Sequence, residues 1–145
     1  MIVQITIGWV LLLFGGTLYV AQMISSFNFS LAQRLGIQEK TENSDPVLQR
    51  SELYAAYWDL VTLGWLPLAG ILMIINHAWW PIMSLLAGAI YLDTSGREAA
   101  KNLSFKHEGV RVGSEKEQRL FFPFYIVMAV IAIVVIAYSI LKLTA

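Results

Sequence analysis

Two aspartates stand at matching places on either side of a short turn, and carboxylates so placed could hold a proton or a cation. Asp59 lies 17 residues before Asn76, and Asp93 lies 16 residues after His77. The turn at Asn76 and His77 is too short for anything except an antiparallel helix pair. Since a helix rises about 1.5 Å per residue, both carboxylates are predicted at nearly the same depth. Ionisable groups inside a membrane tend to face the bundle and to mark a functional path.

The length of the neighbouring segments leaves two interpretations of these aspartates open. The uncharged runs at 60–75 and 78–92 contain 16 and 15 residues, or roughly 24 and 22 Å of helix, whereas the hydrocarbon core of a bilayer is about 30 Å thick. If one further turn is drawn inward, Asp59 and Asp93 share a dehydrated site, with Arg97 as a third candidate for ion binding or proton relay. Otherwise both acids only mark the headgroup region, and Arg97 pairs with Asp93 four residues before it.

Other residue types that carry chemistry are sparse. The chain has no cysteine and only two histidines, His77 and His107, which are predicted on opposite sides of the membrane, so we expect no metal site and no cofactor. Lys101, Lys106 and Arg111 are candidates for contacts with anionic lipid headgroups. The formal net charge is zero, so no nucleic-acid partner is expected.

The composition places the chain in a membrane. Hydrophobic residues make up 57% and charged residues only 14% of the sequence, whereas about a quarter of an average soluble domain is charged. Four long uncharged stretches predict an all-α, integral membrane four-helix bundle in a single domain, 1–145. Its helices are expected at about 2–24, 46–76, 79–95 and 115–142, with a possible interfacial amphipathic helix at 26–36.

The distribution of Lys and Arg predicts how the chain is threaded. Three lie between the first and second uncharged stretches, six between the third and fourth, and one after the fourth. The excess of basic residues in cytoplasmic loops then places both long loops in the cytoplasm and both termini outside, with the cell inner membrane as the expected location.

Local signals predict close packing and a kink. Gly8 and Gly15 form a small-residue stripe that we expect to lie against another helix. Pro67, one turn after Gly64, predicts a kink in the second helix. Asp59 is predicted to lie on an inward-facing stripe of that helix, whose other members are Glu52, Ala56, Thr62, Leu66 and Gly70.

Two helix starts are also marked. Asp45 before Pro46 is typical of an N-cap followed by the first helical residue. Ser114 and Glu117 have the spacing of a capping box, which predicts that the last helix begins directly after Ser114.

No nucleophile stands beside a base, so the leading interpretation is non-enzymatic. It is a small polytopic membrane protein that acts as an accessory or assembly subunit, packing in the lipid bilayer against other membrane-protein helices or copies of itself. The alternative is a small oligomeric transporter or channel, coupled to protons or cations through Asp59 and Asp93. A further alternative is a lipid-modifying enzyme at the cytoplasmic face that uses these two acids and Glu98. The surroundings of Asp59 would decide between them.

Overall fold

The computed structural model describes residues 1–144, and nearly all of them are helical. No strand occurs within this range, although Ser44 and Val112 form an isolated antiparallel bridge. The helices are α1 (Ile2–Phe27), α2 (Phe29–Arg34), α3 (Pro46–Thr62), α4 (Trp65–Ile74), α5 (Trp80–His107) and α6 (Glu115–Leu143), and one 3-10 turn covers Thr41–Asn43.

Three stretches are long and apolar enough to cross a membrane: α1, the combined α3 and α4, and α6. This supports the prediction of an integral membrane protein. The fourth long helix, α5, is uncharged only in its first half, since acidic and basic residues follow from Asp93 onward. Four spans and termini outside the cell therefore stay predictions.

The helices pack as a chain of neighbours. Helix α1 lies along α3 and α4, while α5 packs between α4 and α6. The two long connections, 28–45 and 108–114, meet at one end of the bundle, where the backbone N–H of Arg111 donates to Oδ2 of Asp45 at 2.7 Å. We call this end the loop end.

The predicted packing of the α1 glycines is confirmed. A Cβ atom added to Gly8 would lie 2.9 Å from the carbonyl oxygen of Gly70, and one added to Gly15 would lie 2.9 Å from Cδ of Pro67. Nothing lies within 4 Å of the same position on Gly16. Only small residues permit this approach of α1 to α4.

The predicted kink is present as an interruption between α3 and α4 at Leu63 and Gly64. Pro67 has no N–H, so it cannot donate to the carbonyl of Leu63 four residues before it. The buried hydroxyl of Tyr91 on α5 donates to that oxygen at 2.9 Å instead. A side chain of another helix thereby supplies the hydrogen-bond donor that the proline lacks.

Several predicted boundaries differ from those observed. The third predicted helix was expected to end near residue 95, but α5 continues to His107, because Glu98 and Lys101 pair along it and the stretch lacks a helix breaker. The first helix reaches Phe27 and not 24, and the amphipathic segment is helical only over Phe29–Arg34.

Both predicted helix starts are found. The capping box of Ser114 and Glu117 is present at the start of α6. Helix α3 begins at Pro46 as predicted, but the carboxylate of Asp45 makes no capping bond. It accepts hydrogen bonds from Arg111 instead.

Candidate functional site

A cavity of about 320 Å³ opens at the loop end of the bundle. Helices α1, α3, α5 and α6 form its walls, and the segment 36–39, which follows α2, crosses it as a strap. Its lining has two kinds of surface. The polar residues are Gln22, Gln38, Glu39, Glu52, Asp59, Thr94, Glu98 and Tyr125, and the large apolar residues are Leu18, Ile37, Leu63, Leu120, Phe121, Phe124 and Met128.

Four carboxylates lie at different depths in this cavity. Glu52 and Asp59 are seven residues apart on α3, so both face the same way and are separated by two turns, about 10.5 Å. Glu98 reaches the cavity from α5, and Glu39 reaches it from the strap. The acids therefore extend from the loop end toward the interruption between α3 and α4, with Asp59 the deepest on α3.

Asp59 makes no ion pair within residues 1–144. Its side chain is buried, with 4% of the residue exposed, and its Oδ1 has no hydrogen-bond partner among residues 1–144. An unpaired carboxylate away from water is costly. A proton or a cation bound to the Asp59 carboxylate would therefore stabilise the site.

The structure does not bring Asp93 and Arg97 to this cavity. Both are exposed on α5, whereas the neighbouring Thr94 is buried and lines the cavity. Consecutive residues on a helix point about 100° apart, so a matching depth does not place two side chains on facing surfaces. Asp59 lies with other acids, and the predicted pair of aspartates is not formed.

Lys101 lies inside the site and not among lipid headgroups. Its Nζ is 2.8 Å from Oε1 of Glu52 and also pairs with Glu98, with only 16% of its side chain exposed. The two other basic candidates stay at the surface: Lys106 donates to Gln118, and Arg111 is bound to Asp45. Lys101 is therefore paired with two acids, and the carboxylates at the cavity outnumber the basic groups that neutralise them.

Glu39 is the acid that sequence reasoning missed. Burial, with 5% of the residue exposed, and the nearby Glu52 carboxylate raise the pKa of Glu39 from 4.5 to about 7. The strap that carries it is held by Gln33 Nε2, which donates to the carbonyl of Glu39 at 2.8 Å. The N–H of the same peptide group, that of Lys40, donates to Glu117. This carboxyl group therefore changes between its protonated and its charged form near neutral pH.

The polar groups that line the cavity are carboxylates, amides and hydroxyls. Neither histidine lines the cavity, and among residues 1–144 no three His, Asp or Glu side chains converge as metal ligands. Asn102 donates to the hydroxyl of Tyr125 at 3.0 Å, which fixes the ring at the wall. The cavity is therefore an apolar recess that also carries carboxylates and amides.

No family model, curated protein or solved structure matches this chain.

Proposed function

We propose that the protein is a small membrane transporter that binds a cation at Asp59 and exchanges it for protons. The observation that carries this proposal is the buried, unpartnered carboxylate of Asp59 at the deep end of an acidic cavity. A carboxylate in that position alternates between a protonated state and a cation-bound state, because either one removes the uncompensated charge.

The charge balance of the cavity supports this function over the accessory role that the sequence alone favoured. Four acids and no basic residue line the cavity, and Lys101 beside it pairs with two of them, Glu52 and Glu98. Buried charges without partners destabilise a fold. A subunit that acted only through helix packing would gain nothing from retaining them, whereas a carrier needs them to bind its cargo.

The fold also supports access from one side at a time. The acids extend inward from the loop end. Beyond Asp59 the cavity is closed by the buried side chains of Leu63, Leu66 and Tyr91. The break between α3 and α4 lies at this closure. Movement at such a break would open the site toward the other end. The basic residues of the long loops support a cytoplasmic position for the open end.

The outer surface supports a membrane setting for this activity. Large apolar side chains are exposed on both α1 and α6, with 65% of Leu13 and 64% of Ile126 accessible. Lipid tails would cover them. Association with other membrane helices, or with a second copy, stays a prediction.

Flux into proteoliposomes tests the proposal. The purified protein is reconstituted with a pH indicator inside, and sodium, potassium or benzylguanidinium is added outside. Entry of a cation in exchange for protons should raise the internal pH. The Asp59→Asn variant should abolish this response, and the matched Asp93→Asn variant should retain it. A wild-type protein that gives no flux with any of the three cations, or a flux that survives Asp59→Asn, would overturn the proposal.

A further inference from the structure

We infer that the cation is organic: an ammonium or guanidinium group that carries a small apolar group, with its nitrogen at Asp59. This inference rests on the proposed function and specifies its ligand. It follows from the mixed polar and apolar lining of the cavity and from the hydrogen-bonding atoms that the protein leaves without partners.

The lining combines charged and apolar side chains. Asp59 and Glu52 come from α3, while Leu18 comes from α1 and Phe124 and Met128 come from α6. Ligand pockets combine mostly apolar walls with a few placed polar groups in this way. An aromatic ring such as that of Phe124 also attracts a cation to its face.

The unpartnered atoms of the cavity are acceptors that need donors. Oδ1 of Asp59 and Oε1 of Gln22 are both buried and have no hydrogen-bond partner within residues 1–144. The amine of Lys101 is already held by Glu52 and Glu98. A primary ammonium brings three N–H donors and no acceptor. It supplies what these two oxygens lack.

The same lining is unsuited to an inorganic cation. Hard metal ions take six or more oxygen ligands around them, whereas apolar side chains make up much of the lining of this cavity. The volume of about 320 Å³ is at the lower end of the range for small-molecule pockets. A small amine therefore fits both the chemistry and the size.

Calorimetric titration of the intact protein in lipid nanodiscs tests this assignment. The probes are benzylamine and benzyl alcohol, which have the same ring and differ in the charged donor. Benzylamine should bind to the wild type, and benzyl alcohol should bind at least about tenfold more weakly, because a hydrogen bond to a charged group is lost. Asp59→Asn should weaken benzylamine at least about tenfold, and Asp93→Asn should leave its affinity unchanged.

A second variant separates loss of binding from loss of folding. Gln22→Met removes an acceptor, keeps a similar side-chain volume and adds no charge. The variant should therefore fold, and it should bind benzylamine more weakly than the wild type does. Equal binding of the two probes, or benzylamine binding that is unchanged in both Asp59→Asn and Gln22→Met, would overturn the inference. If flux of sodium or potassium depends on Asp59 and benzylamine does not bind, the transport proposal stands and the organic ligand is wrong.

Discussion

Replacing Tyr91 by Phe tests whether its hydroxyl compensates for Pro67. The hydroxyl donates to the carbonyl of Leu63 at 2.9 Å, and both residues are almost fully buried. The variant keeps the ring and leaves that carbonyl without a donor. An unsatisfied buried acceptor costs about 1–3 kcal/mol, while hydrogen bonds between membrane helices contribute about 0.6 kcal/mol on average and about 1.7 at most. We expect Tyr91→Phe to lower the free energy of unfolding by about 1–2 kcal/mol.

A double-mutant cycle isolates this effect from general loss of packing. Pro67→Ala restores an N–H that can donate to the Leu63 carbonyl, so the cost of Tyr91→Phe should fall by at least half in that background. The assay is reversible unfolding in mixed micelles, followed by helical circular dichroism. An equal cost of Tyr91→Phe in both backgrounds, or no cost in either, would refute the compensation.

Two further predictions concern the packing and the strap. Gly15→Ala should destabilise the protein by about 1–3 kcal/mol, because the added carbon meets Pro67 at 2.9 Å, and Gly16→Ala should not destabilise it. Equal melting temperatures of the two variants would contradict this packing. The pKa of Glu39 is about 7 in the folded protein against 4.5 for the unfolded chain, so the folded state binds more protons between these values. The contribution of Glu39 to the free energy of unfolding should fall by up to roughly 3 kcal/mol from pH 4.5 to 7 and then level off. Glu39→Gln should remove this part of the pH dependence. A pH profile that Glu39→Gln leaves unchanged would show that this carboxyl group is not buried.

Features that depend on neighbouring residues were predictable from the sequence. The close packing at Gly15, the break near Pro67 and the capping box at Ser114 each follow from steric or hydrogen-bonding properties of a few adjacent residues. Asp59 belongs with them, because its helical stripe of small and polar residues predicts an inward direction.

The composition of the cavity was not predictable in the same way. Depth along a helix places Asp59 and Asp93 at one level but does not fix the direction in which either side chain points. Lys101 shares a basic stretch with surface residues, and only the packing of α5 beside α3 brings it to Glu52. Glu39 enters through a strap that folds back over the bundle, and helical periodicity carries no information about such a return.

The central claim is that a cation occupies the site at Asp59, and carboxyl labelling tests it most directly. Dicyclohexylcarbodiimide is an apolar reagent that modifies carboxyl groups within membranes, and mass spectrometry of peptides measures the modification at each residue. Our account predicts that Asp59 is labelled, and that an excess of sodium, potassium or benzylguanidinium, tested singly, protects it in at least one case while labelling at Asp93 does not change. Labelling of Asp59 to the same extent with and without every one of these cations would contradict the account.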